Sequence, residues 1–426
     1  MKLRTIRNIV ISLSFLILFF GFGYKLGLKQ AGHDSVFTPV NIAGKNPSKS
    51  VSVDFSLFWD VWDRLNRSYI DKNKLDPQKM IYGAISGMVS SLEDPYTVFL
   101  TPDQNKEAKD DLGGRFEGIG AQLGIKDKKI VIVAPLKDSP AEKAGLKAGD
   151  WIMKVDGKDT SSWTLPQAVS KIRGPKGSKV MLSIVHKEAS QSGEVAVVRD
   201  EIKVASVEWE VAKWKMEDGK WKMEKDECSA CERVVHLKLA RFGDQTNEDW
   251  NKAVEDIRKA IELPGYRAIR GLIFDLRNNP GGYLSGAVFI ASEFLADGTI
   301  VIQEQTGGFR QTFTVNRKGR ILEIPMIVLI NKGSASASEI VAGALKERGR
   351  AKIVGEQSFG KGSIQEAQDL SGGAGIHITT AKWLLPQGEW INTTGIEPDV
   401  RVENDINKPD EDLQLTKAIE TLLKTK

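Results

Sequence analysis

Histidine is scarce in this chain: 426 residues hold four, His33, His186, His236 and His377. Cysteine is scarcer, with Cys228 and Cys231 making a lone Cys-x-x-Cys. A single pair lacks the second ligand set of a zinc site, so no metal and no cofactor are expected. A thioredoxin-like role needs the motif at a helix start in a βαβ unit. Here Val234-Val235-His236-Leu237-Lys238-Leu239 follows, patterned as a strand. In an oxidising compartment such a pair can form a local disulfide, and a structural disulfide or idle thiols are expected ahead of redox catalysis. A dominant charge is also missing: 60 basic residues meet 56 acidic ones, net +4. That balance gives no sign of a nucleic-acid partner.

The N-terminus carries a clear signal. Lys2, Arg4 and Arg7 precede an uncharged, mostly apolar run from Ile9 to Tyr24. Basic residues before an apolar core mark an export signal or signal-anchor. No clean small-x-small cleavage site follows, which favours an uncleaved anchor over a cleaved signal. Either reading puts the body of the protein outside the cytoplasm, in the periplasm on the inner membrane if anchored. Residues 1–30 are thus assigned to the export segment and 31–51 to a linker.

From Phe55 apolar residues recur at helical spacing: Phe58, Trp59, Trp62, Leu65, Tyr69. Asp76-Pro77 is a cap-plus-proline start for a second helix with Met80, Ile81, Ala84, Ile85 and Met88 on one face. This helical region, 52–114, reads as a packing or dimerisation element, so a homo-oligomer is possible on this reading.

Residues 115–190 alternate short strands with turns. Lys129–Val133 is a strand, Ser139-Pro140-Ala141-Glu142 a capped helix start, Gly145 its stop, and Trp151–Val155 with Asp156-Gly157 a strand and turn. Leu165, Ala168, Val169 and Ile172 share the face of a second helix, and Val180–Val185 closes the set. The layout resembles a PDZ domain. That resemblance makes Gly118-Ile119-Gly120 the loop that takes a polypeptide's free C-terminus, with N–H groups converging on a carboxylate. The next strand then adds a peptide strand opposite the helix that carries Val169.

Residues 191–404 change to longer buried strands, Gly271–Leu276, Pro325–Ile330 and Ala351–Gly355, each followed by helical patterning; this argues for an α/β core. Within it, Trp214-Lys215-Met216-Glu217 recurs as Trp221-Lys222-Met223-Glu224 around Asp218-Gly219. Asp-Gly is a favoured two-residue hairpin turn. It pairs Met216 with Trp221 and Trp214 with Met223 on one face, and Glu217 with Lys220 and Lys213 with Glu224 on the other. This hairpin insert, about 208–232, is either packed down or a flap over a groove. Residues 405–426 read as a C-terminal helix.

Three loops carry chemistry. Asn331-Lys332-Gly333-Ser334-Ala335-Ser336-Ala337-Ser338-Glu339 joins a buried strand to a helix. A serine there sits at a helix N-terminus, where free N–H groups favour a developing oxyanion; a plain helix cap is the competing reading. A serine nucleophile needs a base. His33 lies in the linker, His186 in the PDZ-like region, and His236 and His377 in strand-like runs that suit structural roles. A buried lysine with a depressed pKa can replace histidine. Lys361, between Gly360 and Gly362 with apolar flanks, is that candidate. The third loop, Asp275-Leu276-Arg277-Asn278-Asn279-Pro280-Gly281-Gly282, offers glycine N–H donors.

Together these loops resemble those of the carboxyl-terminal processing proteases, also called tail-specific proteases. The resemblance extends to Tyr82-Gly83-Ala84-Ile85, Asp94-Pro95-Tyr96 and Thr394-Gly395-Ile396-Glu397-Pro398-Asp399, and spans most of the sequence from Phe55. It implies Ser336 as nucleophile, Lys361 as base and Gln365 as the residue orienting the lysine. It also implies an oxyanion hole from Ala337 N–H and one of Gly281 or Gly282. The implied fold is a crotonase- or ClpP-like core with the PDZ domain inserted after the helical region. The implied partners are polypeptides with free apolar C-termini. Arg173, ending the second PDZ helix, is expected to reach the protease core. Two other classes stay open: a PDZ adaptor on an inactive core, and a hydrolase of esters or small amides.

Overall fold

The computed structural model describes residues 54–424, apart from 127–128, 137, 187–191, 227, 229, 263–268, 406–407 and 409–410. The run Ile9–Tyr24 lies outside the described residues. Among those described, no helix is long and apolar enough to cross a membrane. The protein divides into two compact units, one ending at Leu75 and one starting at Asp76. In the first unit, helix Ser56–Ser68 buries no residue. Its aromatic side chains pack on one another instead, Phe58 lying 5.0 Å from Trp59 and 6.2 Å from Trp62.

The second unit opens as its sequence signals require. Asp76 caps helix Pro77–Ser90, its carboxylate accepting from Gln78 and Lys79 N–H. The face used differs from the Met80–Met88 stripe. Tyr82, Ile85 and Val89 pack on Phe99, Ala374 and Ile376, while Ile81 and Met88 stay exposed. The partner strand Val98–Leu100 selects the stripe, because both alternatives have helical spacing. A third helix, Pro102–Leu112, has a capping box between Thr101 and Gln104.

The PDZ domain is entered and left through a two-stranded neck, Arg115–Gly118 against Asp200–Lys203. Inside, strands Ala121–Lys126, Lys129–Pro135, Trp151–Val155, Lys179–Val185 and Gly193–Val198 form one antiparallel sheet. Its core gathers Ile130, Ile132, Ile152, Leu182 and Ile184 with Ala168 and Ile172 of helix Leu165–Ile172. Arg173 stays within this neighbourhood. Its guanidinium lies 4.8 Å from the Phe116 ring and 3.8 Å from Asp111, packed on the neck and not on the lysine loop.

The part of the chain that follows the neck is α/β. Strands Glu232–Leu239, Ile269–Asp275, Met326–Ile330, Lys352–Gly355 and Val400–Arg401 run parallel. Alternate residues serve two faces, as the pleat dictates. Leu272, Phe274, Val328 and Ile330 meet the helices Thr246–Glu262, Leu284–Ala291 and Ala337–Glu347. Ile273, Ile327, Leu329 and Val354 meet Leu415, Ala418, Ile419 and Leu422 of the C-terminal helix Leu413–Lys424. Each large aliphatic side group so buried contributes about 1.5–3 kcal/mol. An antiparallel sheet, Val98–Leu100, Gly375–Leu384, Thr299–Gln305 and Arg310–Thr314, with Ser363–Asp369 also on Gly375–Leu384, completes the core.

The hairpin closes one edge of the parallel sheet. Trp214 pairs with Met223 and Met216 with Trp221, around a turn with positive φ at Asp218 and Gly219. Trp214 is buried and Trp221 packs beside it on the C-terminal-helix side of the sheet. Met216 and Met223 remain exposed. Cys228 and Cys231 form a disulfide just beyond.

Candidate active site

Ser336 stands at the junction of strand Met326–Ile330 and helix Ala337–Glu347, at its N-cap, with φ 56° and ψ −116°. Positive φ at a non-glycine residue costs of order 1–3 kcal/mol and persists only where the surroundings enforce it. The enforcing contacts are visible. Gly281 packs so tightly that a Cβ there would sit 2.8 Å from Ser336 Cβ and 2.9 Å from Ala337 N. Ser338 Oγ lies 2.8 Å from the carbonyl oxygens of both Asn279 and Ala335, and Ser334 Oγ donates to Leu276 O at 2.8 Å. The flanking serines are therefore buried staples between the serine loop and the glycine loop.

Of the two glycines, only Gly282 lines the cavity with Ser336. The Gly281 N–H already donates to Asn279 Oδ1 at 2.9 Å. No hydrogen bond from the Gly282 or Ala337 N–H occurs among the described residues. Gly282 also has no room for a side group: a Cβ would fall 2.1 Å from Phe242 O.

A residue that sequence reasoning did not single out joins the serine loop to the lysine loop. Glu339 is wholly buried and accepts four hydrogen bonds. Oε2 takes the backbone N–H of Ser336 at 2.7 Å and of Lys361 at 2.9 Å. Oε1 takes the Ser358 hydroxyl and the Gly360 N–H, each at 2.6 Å. The Glu at the third position of a capping box was the available signal. That it would reach a second loop was not legible.

Lys361 lies in the same cavity of about 280 Å³ as Ser336, Ala337, Gly282, Gln365 and His377. Burial pushes its ammonium below the ordinary lysine range, while the carboxylates of Glu339 and Asp94 pull the other way. The lysine's own loop contains no carboxylate, but two arrive from other elements. Gln365 donates its amide N–H groups to Ser363 Oγ at 2.9 Å and Thr379 Oγ1 at 3.0 Å. Neither goes toward Lys361. His377, expected in a structural strand, is in a strand but faces this cavity. Burial, then the Lys361 charge, hold it below the usual histidine range.

Behind the site, Arg277 forks onto Asp275 at 2.7 Å and Asp412 at 2.8 Å, with His236 Nε2 3.1 Å from Asp275. This set, buried at Asp275 and half-buried at Asp412, ties the glycine loop to the start of the C-terminal helix. His236 thus belongs to structure. In the PDZ domain, the carbonyls of Ile119 and Gly120 accept from Ala141 and Leu136 N–H at 2.7 and 2.8 Å. Val169 is half-buried on the Leu165–Ile172 helix.

A strained serine at a helix N-terminus, sharing a cavity with a lysine that burial holds below its ordinary range, defines a serine-hydrolase type of site. Comparison with known proteins gives the family. Residues 233–402 match the model of peptidase family S41, 131–185 a PDZ domain, and 26–104 the activating protease CtpB N-terminal domain. The protein is 37% identical to the carboxy-terminal processing protease CtpB of Bacillus subtilis over 80% of this chain and 66% of that protein. It is 35% identical to CtpA of the same organism over 83% of this chain and 71% of that one. A putative S41 protease structure from Bacteroides fragilis, 17% identical, covers 89% of this chain and 98% of its own with a TM-score of 0.55, a likeness of fold. The chain belongs to the carboxyl-terminal processing proteases, serine peptidases of family S41 carrying a PDZ domain.

Proposed function

We propose that the protein is a Ser–Lys endopeptidase that cleaves exported polypeptides near or from their C-termini. The observation carrying this reading is the shared cavity: Ser336 at a strained helix N-cap and Lys361, its ammonium lowered by burial, line it together. Neutral Lys361 Nζ accepts the Ser336 hydroxyl proton as Oγ attacks the scissile carbonyl. The N–H groups of Ala337 and Gly282 receive the oxyanion; Gly281 serves by packing, since its own N–H is committed to Asn279. The Lys361 ammonium then protonates the leaving amine, and water hydrolyses the acyl-enzyme by the same route. Gln365, anchored through its amide nitrogen, has its carbonyl oxygen left to orient the lysine.

The PDZ domain is read as the receptor for the substrate's apolar C-terminus. Ile119 and Gly120 use their carbonyls internally, and no bond from their N–H groups occurs among the described residues. That pattern supports Gly118, Ile119 and Gly120 as the carboxylate loop, with Val169 lining the groove. An extracytoplasmic location with an N-terminal membrane anchor, and a homo-oligomer through the aromatic helix Ser56–Ser68, belong to the same reading. The test is turnover of an unstructured peptide, and fluorophosphonate labelling, by the parent protein and the Ser336→Ala and Lys361→Ala variants. Loss of both activities in both variants is expected. Undiminished labelling in Lys361→Ala sinks the dyad, and an ester hydrolysed where the peptide is not favours a small-molecule hydrolase.

A further inference from the structure

The turn Asp94-Pro95-Tyr96 has no part in the chemistry above, yet it lies against the lysine. Lys361 Nζ is 5.0 Å from the centroid of the Tyr96 ring. The turn is not a loose flank. Asp94 accepts the Tyr96 N–H at 3.0 Å and the Thr97 hydroxyl at 2.7 Å. Buried Thr97 in turn accepts the Thr379 N–H at 3.0 Å, and the backbone runs on into a strand that pairs Val98 with His377. The turn is thereby pinned to the strand that forms one wall of the catalytic cavity, next to the Thr379 hydroxyl that holds Gln365.

The titratable groups that face Lys361 are Asp94 and Tyr96 from this turn, Glu339 from the nucleophile's helix, and His377 from the strand Gly375–Leu384. Their tasks differ. Glu339 has both oxygens occupied by backbone N–H groups and Ser358. His377 repels the ammonium when charged. Burial keeps the Tyr96 phenol neutral, helped by the Glu339 and Asp94 charges, so its ring presents a constant negative face.

We infer that the Asp94–Tyr96 turn is a positioning element for the general base: the Tyr96 ring, fixed in place by the Asp94 carboxylate's bonds to Tyr96 and Thr97, holds the Lys361 ammonium in the cavity. This rests on the reading of Lys361 as base. Both groups favour the charged lysine, so they also set how alkaline the solution must be before the lysine can accept a proton. Removing either makes the base available at lower pH while loosening its aim.

The experiment follows Ser336 labelling by a fluorophosphonate and turnover of an unstructured peptide against pH, in the full-length protein. Asp94→Asn keeps one oxygen for the Tyr96 N–H, gives up the oxygen that accepts from the Thr97 hydroxyl, and loses the charge. Its activity midpoint is expected to fall by about half a pH unit, raising relative activity about threefold one unit below the parent midpoint. Tyr96→Leu moves the midpoint the same way by less, and lowers the plateau. Tyr96→Phe, which keeps the ring, restores the parent midpoint. Lower plateaus with unmoved midpoints in Asp94→Asn and Tyr96→Leu overturn the inference, as does an upward shift. Should Tyr96→Leu not fold, Asp94→Asn decides alone. A Lys361→Ala protein that still labels overturns the base and this inference together. Lys361-dependent labelling with fixed midpoints overturns this inference only.

Discussion

Two glycine loops in this molecule present backbone N–H groups, and they are built differently. The PDZ loop Gly118–Gly120 is held by two backbone hydrogen bonds to its carbonyls. The catalytic loop Asn278–Gly282 is held by wholly buried polar residues, Asn279, Ser334 and Ser338. Both require glycine for close approach: a Cβ would lie 2.5 Å from Ser139 Cβ at Gly120 and 2.1 Å from Phe242 O at Gly282. On the proposed reading of the two loops, the difference lies in how firmly the donors are aimed. An oxyanion donor acts only if it already points at the position where charge develops. A peptide-binding loop tolerates adjustment, because its ligand stays bound long enough to settle. Burying an unpartnered polar group costs about 1–3 kcal/mol. The catalytic loop therefore carries buried polar side chains only because each is hydrogen-bonded.

That contrast is testable in order of effect. Ser336→Ala and Lys361→Ala should each remove nearly all turnover, on the order of 10⁴-fold or more, because paired residues act as a unit. Lys361→Arg should not restore it, since a guanidinium stays protonated; steady-state hydrolysis of an unstructured peptide reads all three. Glu339→Gln comes next. An amide can neither accept four hydrogen bonds nor hold Ser336 and the lysine loop together, so turnover should drop on the order of 10²-fold through misplacement. Its loss of charge should also move the activity midpoint to lower pH, which a pH–rate profile would reveal. A Glu339→Gln enzyme with parent turnover would show that the buried clamp is only a helix cap.

Gly120→Ala places a methyl group at φ 72° against Ser139. Affinity of the PDZ domain for a peptide with a free C-terminus should fall about tenfold or more, with labelling of Ser336 little changed. Amidating that peptide should cause a similar fall in the parent protein. Equal effects of Gly120→Ala on binding and on labelling would erase the distinction between the two loops. Ser338→Ala should lower stability by about 1–3 kcal/mol and turnover by about tenfold, read by denaturant titration and kinetics.

The smallest effect concerns acid. Burial opposes the charge on Asp275, but bonds from His236 and Arg277 outweigh it and hold the carboxyl well below its usual range. Asp412 is lowered by the same guanidinium, against its own burial. A carboxyl depressed in the folded state stabilises the fold above its unfolded pKa of about 4, and that contribution is lost as pH falls further. Unfolding midpoints should be flat with respect to this pair from pH 5 to 7 and decline below about 4. Asp412→Asn should soften the decline.

Much of this architecture follows from local signals. Asp76-Pro77, Asp218-Gly219 and Gly145 each dictate one local geometry, so the cap, the hairpin register and the helix stop follow from neighbours in sequence. The Ser336 and Lys361 loops were singled out for a related reason: four histidines in non-catalytic patterns left a glycine-flanked lysine as the candidate base. Long-range relations were not legible. Which stripe of helix Pro77–Ser90 is buried depends on strand Val98–Leu100, and Arg173 settles on Phe116 because the neck brings them together. His377 faces the cavity because strand register, not residue type, decides which side a residue takes. Glu339 and Asp94 reach Lys361 across 22 and 267 residues of sequence. Sequence alone determines conformations that neighbouring residues enforce. The field around the lysine is a sum over charges that only the fold brings together, so tertiary structure alone decided it.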